Sequence, residues 1–391
     1  MLKNNIISIL LLFSITVLIS GCGGGLNNDS PADSGGLSSN ELNSGLQGSF
    51  FWSSYDGFNK KLDITSGRWR EIPVIKNWID QNKGMHNIDR LYNSLTRFTN
   101  DGQFALKVIQ DCDHEVGGVL DNIIAQCFVV FDINNEAIIG EFKISPVTGL
   151  YLDSIALSND GQNIAILDTK NSERYRLRIY DLAGNEIDES FYSDQLLDEF
   201  VQVESLEWLP DGRLIFSYGP VIMRSVDPYS TSAKVLKEFS KTQGEPIHLR
   251  VSPDGEKIAY ALKTDSTFVS LDSTLWVMDV DGANSYQIVE ALDSTQPEMN
   301  NPAWSQDGEQ IVFHFGGVNG VSGTSPGLPS GLLVVPSDAI KASVSYRASE
   351  ISSNILRVTS YYTPGRDDWS SVDEHRLRDS FPEGRVTWVM P

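Results

Sequence analysis

The sequence predicts an all-β chain folded as a β-propeller, on three observations: a five-fold phrase, the period at which it recurs, and the alternation of residues around it. The phrase reads Phe98-Thr99-Asn100-Asp101-Gly102, Leu157-Ser158-Asn159-Asp160-Gly161, Trp208-Leu209-Pro210-Asp211-Gly212, Val251-Ser252-Pro253-Asp254-Gly255 and Trp304-Ser305-Gln306-Asp307-Gly308. Successive Asp-Gly steps lie 59, 51, 43 and 53 residues apart, a period that suits one four-stranded blade per repeat.

Each phrase is flanked by strand-like sequence. Phe98, Leu157, Trp208, Val251 and Trp304, with Thr96, Ile155, Leu206, Leu249 and Pro302 two positions earlier, fall on one face of an incoming strand. Phe104-Ala105-Leu106, Ile164-Ala165-Ile166, Leu214-Ile215-Phe216, Ile258-Ala259-Tyr260 and Ile311-Val312-Phe313 supply the outgoing strands. Asp-Gly provides the positive φ of a tight hairpin, so these acids are expected to be turn residues rather than ligands. A second turn follows at Asp132 to Asn135, Asp181 to Gly184, Asp227 to Tyr229 and Asp279 to Gly282, with Ser337-Asp338 as a weaker fifth.

Residues 49 to 74 hold only three strand-like segments. Arg385 to Met390 alternates as a strand and is expected to complete that blade, closing the ring by joining the two chain ends. That makes six blades; an anchor at Trp369-Ser370-Ser371 would make seven.

With these phrases in hand, the chain resembles the TolB-like propeller repeats, whose pattern is an aromatic, Ser, Pro, Asp, Gly, an apolar strand, and a strand ending in Asp-x-Asp-Gly. Val251 to Asn284 fits best, and the resemblance covers residues 49 to 391. It speaks to fold; the binding of envelope proteins that it implies is an expectation.

The N-terminus points to a compartment. Lys3 precedes an apolar run from Ile6 to Ile19, too short to span a bilayer comfortably, and Ile19-Ser20-Gly21-Cys22 follows. This resembles a bacterial lipoprotein signal: residues 1–21 would be removed and Cys22 acylated, holding the protein at a membrane without a transmembrane helix. Gly rather than Asp at position 23 leans towards the outer membrane, with its side left open. Residues 22–48, rich in Gly, Ser, Asn and Asp, are expected to be a flexible tether. The formal charge of −22 argues against nucleic acid and against docking on anionic headgroups.

In an oxidising compartment a disulfide between Cys112 and Cys127 is favoured over two buried thiols. No catalytic group assembles. Gly323-Thr324-Ser325-Pro326-Gly327 spells the nucleophile-elbow pattern, but inside a Gly, Ser and Pro loop. His248 falls on an inner strand where its counterparts are Leu95, Ser154, Ser205 and Asn301, while His86, His114, His314 and His375 occupy unrelated positions. No histidine ring, metal site or cofactor is therefore expected.

The remaining clue is asymmetry between the two faces. Turns joining first to second and third to fourth strands are short, whereas the other face carries Asp113 to Gln126, Lys263 to Thr274 and Gly316 to Gly331, with the connections Lys76 to Asp89 and Asp188 to Val203. Such loops are where binding resides, and Trp78, Tyr192 and Phe268 are the candidate ligand contacts. The expected function is a monomeric, non-enzymatic binding or scaffold module for an envelope protein. A carbohydrate-binding or polysaccharide-lyase-type propeller is the alternative.

Overall fold

The computed structural model describes residues 45–53, 59–65, 69–82, 96–110, 112, 126–144, 154–170, 174–192, 203–240, 242–263, 273–291, 299–315, 331–344, 352–358 and 386–391. They form a six-bladed β-propeller. Blade 2 runs outward as Thr96–Phe98, Phe104–Gln110, Gln126–Asp132 and Ala137–Ile144. Blade 3 is Ile155–Leu157, Asn163–Lys170, Arg174–Asp181 and Glu186–Tyr192; blade 4 is Val203–Trp208, Leu214–Tyr218, Val221–Ser225 and Ala233–Glu238. Blade 5 begins Glu245–Val251, Lys257–Lys263, Ser273–Asp279 and Tyr286–Ala291, and blade 6 is Met299–Trp304, Gln310–Phe315, Gly331–Pro336 and Leu356–Arg357.

Blade 1 takes its inner strand from the other end of the chain. Thr387–Val389 pairs antiparallel with Ser49–Ser53, placing Phe50 opposite Trp388, and Asn59–Asp63 and Trp69–Glu71 complete the sheet. The first-to-second hairpin of every other blade is replaced here by the two chain ends.

Six apolar clusters among the described residues correspond to the six seams between neighbouring blades. Phe50, Leu62 and Trp388 of blade 1 meet Ala303, Val312 and Val334 of blade 6, and Phe51 meets Phe98 of blade 2 with ring centroids 5.4 Å apart. The alternation explains this arrangement: each strand offers successive side chains to opposite faces, and in a propeller both faces of a blade are buried. Phe98, Leu157, Trp208, Val251, Trp304 and Trp388 all turn towards the preceding blade. In blades 4 and 6, where that residue is Trp, it also bonds across the seam. Trp208 Nε1 donates to Ala156 O at 3.1 Å and Trp304 Nε1 to Arg250 O at 2.9 Å, and Ala156 and Arg250 occupy the same register position in their blades.

Two departures from the sequence-based expectation stand out. Lys76 to Asp89, expected to be a loop, opens with the helix Pro73–Asn82. Proline suits a first helical position because its missing N–H has no partner there, and Val74, Ile75, Trp78 and Ile79 form one buried stripe. The second departure is at Ser337-Asp338. That turn sends the chain to the neighbouring blade, where Ala342–Val344 pairs parallel with Tyr286–Ala291 as a fifth strand of blade 5. Ala342 and Val344 are buried there. The chain then supplies the outer strand of blade 6 with only two residues.

Candidate functional site

The repeated phrase builds a hydrogen-bonded turn. Asp Oδ1 accepts the amide two residues on: Gln103 at 2.9 Å, and Gln162, Arg213, Glu256 and Glu309 at 3.0 Å each. It also accepts the hydroxyl two residues back: Thr99, Ser158 and Ser305 at 2.6 Å and Ser252 at 2.5 Å. That hydroxyl in turn accepts the first amide of the outgoing strand, from Phe104, Asn163, Lys257 and Gln310, at 2.8–3.0 Å. Blade 4 has Leu209 where the others have Ser or Thr. Its corresponding amide, Leu214 N, donates instead to Ser225 Oγ of the third strand at 2.7 Å. The lost acceptor is replaced from elsewhere in the blade, as a buried amide requires. The acids are thus held by their hairpins. The second set of turns repeats the logic: hydrogen bonds from Asn135 hold the Asp132 carboxyl below its usual range, and those from Asn185 do the same at Asp181.

The residue between hydroxyl and acid points elsewhere. Asn100, Asn159, Pro210, Pro253 and Gln306, with Asp101, line a cavity of about 260 Å³ at the mouth of the central channel on the turn face. Its chemistry is neutral: carboxamides that both donate and accept, and proline rings that offer apolar wall. Asp101 is the ionisable group among these lining residues, and its Oδ1 is engaged by Thr99 and Gln103.

Below the mouth a tighter cavity shares Asn100 and Pro253 and is lined by Arg250, Thr387 and Trp388. Arg250 Nη1 pairs with Glu207 Oε1 at 2.8 Å, both residues nearly buried, and its Nη2 donates to Val386 O at 3.4 Å. Arg97 Nη1 donates to Leu206 O at 3.5 Å. Blades 5 and 1, and blades 2 and 4, are not neighbours, so both guanidiniums reach across the channel. Arg97, Glu207 and Arg250 sit one residue before Phe98, Trp208 and Val251. An inner-strand position carrying two arginines and a glutamate was the sequence signal for this throat.

The aligned positions His248 and Asn301 share a left-handed backbone, with φ of 53° and 49°, where the inner strands of blades 5 and 6 shift register. Asn301 N donates to His248 Nδ1 at 3.4 Å. His314 lies on the second strand of blade 6, and burial pushes its pKa down to about 4. Among the described residues no three His, Cys, Asp or Glu converge as metal ligands.

The sequence-predicted contacts are not brought together. Trp78 is 4% exposed on the helix Pro73–Asn82, with its ring edge-on to Phe131 at 6.1 Å. It is a packing residue of the seam between blades 1 and 2, and its assignment as a ligand contact is corrected: the apolar stripe of the helix turns the indole inward. Asp188 to Val203 begins as strand rather than loop, because Glu186–Tyr192 continues blade 3. There Tyr192 pairs along the backbone with Tyr175, and its side chain lies outside the described residues. Phe268 and Cys22 also lie outside them, as do the interiors of the three long loops, including Ser325. Cys112 and Cys127 form a disulfide with Cα atoms 5.9 Å apart, and Cys112 is buried against the helix.

No family model matches the chain, and no curated protein does. Among solved structures it is similar to TolB from Acinetobacter baumannii at 15% identity and TM-score 0.45, over 74% of this chain and 61% of that one. The chain thus spans less than two thirds of that protein's length. A protein assigned as TolB from Agrobacterium tumefaciens is similar at 14% identity and TM-score 0.45, over 80% of this chain and 89% of that one. The GH74 enzyme of Niastella koreensis is similar at 8% identity and TM-score 0.46, over 81% and 46%. At these identities no activity, substrate or partner carries over. The repeats resemble the TolB-like pattern in sequence, and the fold that they build is a six-bladed β-propeller.

Proposed function

We propose that this chain is a binding or scaffold module of the bacterial envelope, held at the outer membrane through acylated Cys22, and that its partner is an envelope protein. One observation carries the binding reading. The carboxylates of the repeated turns are committed to their own hairpins, and the open mouth of the channel is walled by carboxamides and prolines. Such walls supply hydrogen bonds and contact area for recognition. Tyr192 and Phe268, in connections that the sequence assigns to the opposite face, remain the candidate aromatic contacts.

A second reading, carbohydrate binding, draws support from the same carboxamides, because Asn and Gln side chains match the donor and acceptor pairs of sugar hydroxyls. One comparison separates the two. The soluble form lacking residues 1 to 44 is run in pull-downs from envelope extract and on a glycan array, beside the variant Asn100→Leu, Asn159→Leu, Gln306→Leu. Specific protein capture that the variant loses supports the first reading, and glycan binding that it loses supports the second. Metal-dependent release of unsaturated sugars would replace both by a lyase. Cys22→Ala tests the anchor: unchanged membrane fractionation with a non-acylated N-terminus rules it out.

A further inference from the structure

The seam between blades 1 and 2 gathers polar groups inside its apolar cluster. Lys107 stands between Ala105 and Ile109 and opposite Val129, all three members of that cluster, so strand alternation turns its side chain into the seam. Thr96 is its partner on the inner strand. Phe51 and Phe98 meet across the seam, and Ser53 and Thr96 each lie two residues further from the Asp-Gly turns on the same two strands, which sets their hydroxyls at one level. Ser53 is 1% and Thr96 3% exposed, and neither hydroxyl has a hydrogen-bond partner. Buried hydroxyls in that condition are uncommon and call for an explanation. Asn59, paired with Ser53 along the backbone, adds a carboxamide that can turn either its oxygen or its NH2 to the site.

The ionisable groups of this seam are mostly cations, in a chain whose formal charge is −22. Lys61 Nζ lies 5.0 Å from the centroid of the Phe51 ring, and its residue stands opposite Arg70. Burial, and then the charge of Arg70, lower its pKa. Of the described carboxylates on the strands and helix that form the seam, Asp63, Asp80 and Glu141 are exposed. Glu71 and Asp132 are paired with Lys60 and Phe104 and face away from it with them. We propose that this seam binds a small monovalent anion of the chloride class, held by the Lys107 ammonium and the hydroxyls of Ser53 and Thr96. All three groups are donors. The apolar side chains around them lower the local dielectric, which strengthens the attraction between ammonium and anion. Water would accept the same hydroxyl hydrogens but would bring no charge to the ammonium. An ion held there ties blade 1, which carries both chain ends, to blade 2, so closure of the ring gains from the halide.

The test is urea unfolding of the full chain in neutral detergent at pH 6, below the pKa of about 7 to which burial pushes Lys107, so that the amine is charged. Chloride is raised from about 20 to about 200 mM against gluconate at constant ionic strength, and the folding constant of the parent is expected to rise at least about threefold, with tenfold the limit for one site. Two variants are run beside it. Lys107→Met removes the ammonium, and Ser53→Ala with Thr96→Val removes the hydroxyls; Thr96→Val alone stands in if the pair does not fold. The rise is expected to disappear in both. A parent indifferent to chloride overturns the site and leaves water as its occupant. A rise that survives undiminished in either variant reports chloride acting elsewhere, and overturns it as well.

Discussion

Lys107 offers a measurement whose sign and size follow from its position. It lies on the second strand of blade 2, opposite Thr96 and Val129, and is 0% exposed. Burial pushes its pKa from 10.5 down to about 7, because a low-dielectric surround disfavours the ammonium. The linkage runs one way. Above the unfolded value of 10.5 the amine is neutral in both states and nothing is lost. As pH falls towards 7 the unfolded chain takes up the proton first, and folding stability drops by about 1.4 kcal/mol per pH unit. Below about 7 both states are charged and the loss levels off at roughly 5 kcal/mol at most. Lys107→Met keeps length and flexibility without the charge. It should raise stability at pH 6 by roughly 2–4 kcal/mol, since some of the penalty is offset by the partners that Lys107 has, and the advantage should vanish as pH approaches 10.5. Urea unfolding of parent and variant at pH 6, 8 and 10 measures this. A variant less stable than the parent at pH 6, or a difference constant from pH 6 to 10, would refute the reasoning.

Four further outcomes are expected. His314 should stay uncharged at pH 5.5, since its pKa is pushed to about 4; imidazole carbon shifts with a midpoint near the ordinary value would contradict its burial. Its contribution to stability is present above about pH 6.5 and is lost as pH falls towards 4. Ser225→Ala should cost about 1–2 kcal/mol in urea unfolding, because it leaves the amide of Leu214 without its acceptor; a cost near zero would mean that the replacement bond is dispensable. Removing residues 386–391 strips the inner strand from blade 1 and should lower Tm by at least about 10 °C, and a shift of a degree or two would show that the ring does not depend on it. Reducing the Cys112–Cys127 bond frees a loop of 15 residues, with an expected loss of about 3 kcal/mol, checked by melting with and without reductant.

What was legible in the sequence were features with a local period. The Asp-Gly phrase announces itself because the turn demands positive φ at Gly and a short acceptor at Asp, and the flanking alternation assigns Phe98, Trp208 and Trp304 to one face before any coordinates. The helix Pro73–Asn82 was equally legible, from Pro73 and the spacing of Val74, Ile75, Trp78 and Ile79; reading that stretch as a connection hid it, and Trp78 was misplaced with it. Other features are not local. Nothing in Ala342 to Val344 says that it pairs with Val289 to Ala291 rather than with its own blade, because an alternating Ala-Ser-Val segment fits either edge. The mouth is an intermediate case. Its lining residues occupy one slot of a visible repeat, but a variable slot in a turn reads as tolerance until the ring brings Asn100, Asn159 and Gln306 around one axis. Arg97 and Arg250 likewise share a register, while the carbonyls that they reach depend on which blades face each other across the channel.

The pairing of blade 1 with the far end of the chain also sets a timetable for biogenesis. Gln47 and Trp388, bonded in the finished ring, are 341 residues apart, and at ribosomal speeds of about 5–20 residues per second the first waits roughly 17–70 s for the second. Throughout that interval Phe50-Phe51-Trp52, among the most buried side chains of the native protein, belongs to a strand with no inner neighbour. Such a segment is a template for aggregation. A chain made this way gains from a holding chaperone until Thr387–Val389 has been synthesised, because blade 1 has no inner strand before then.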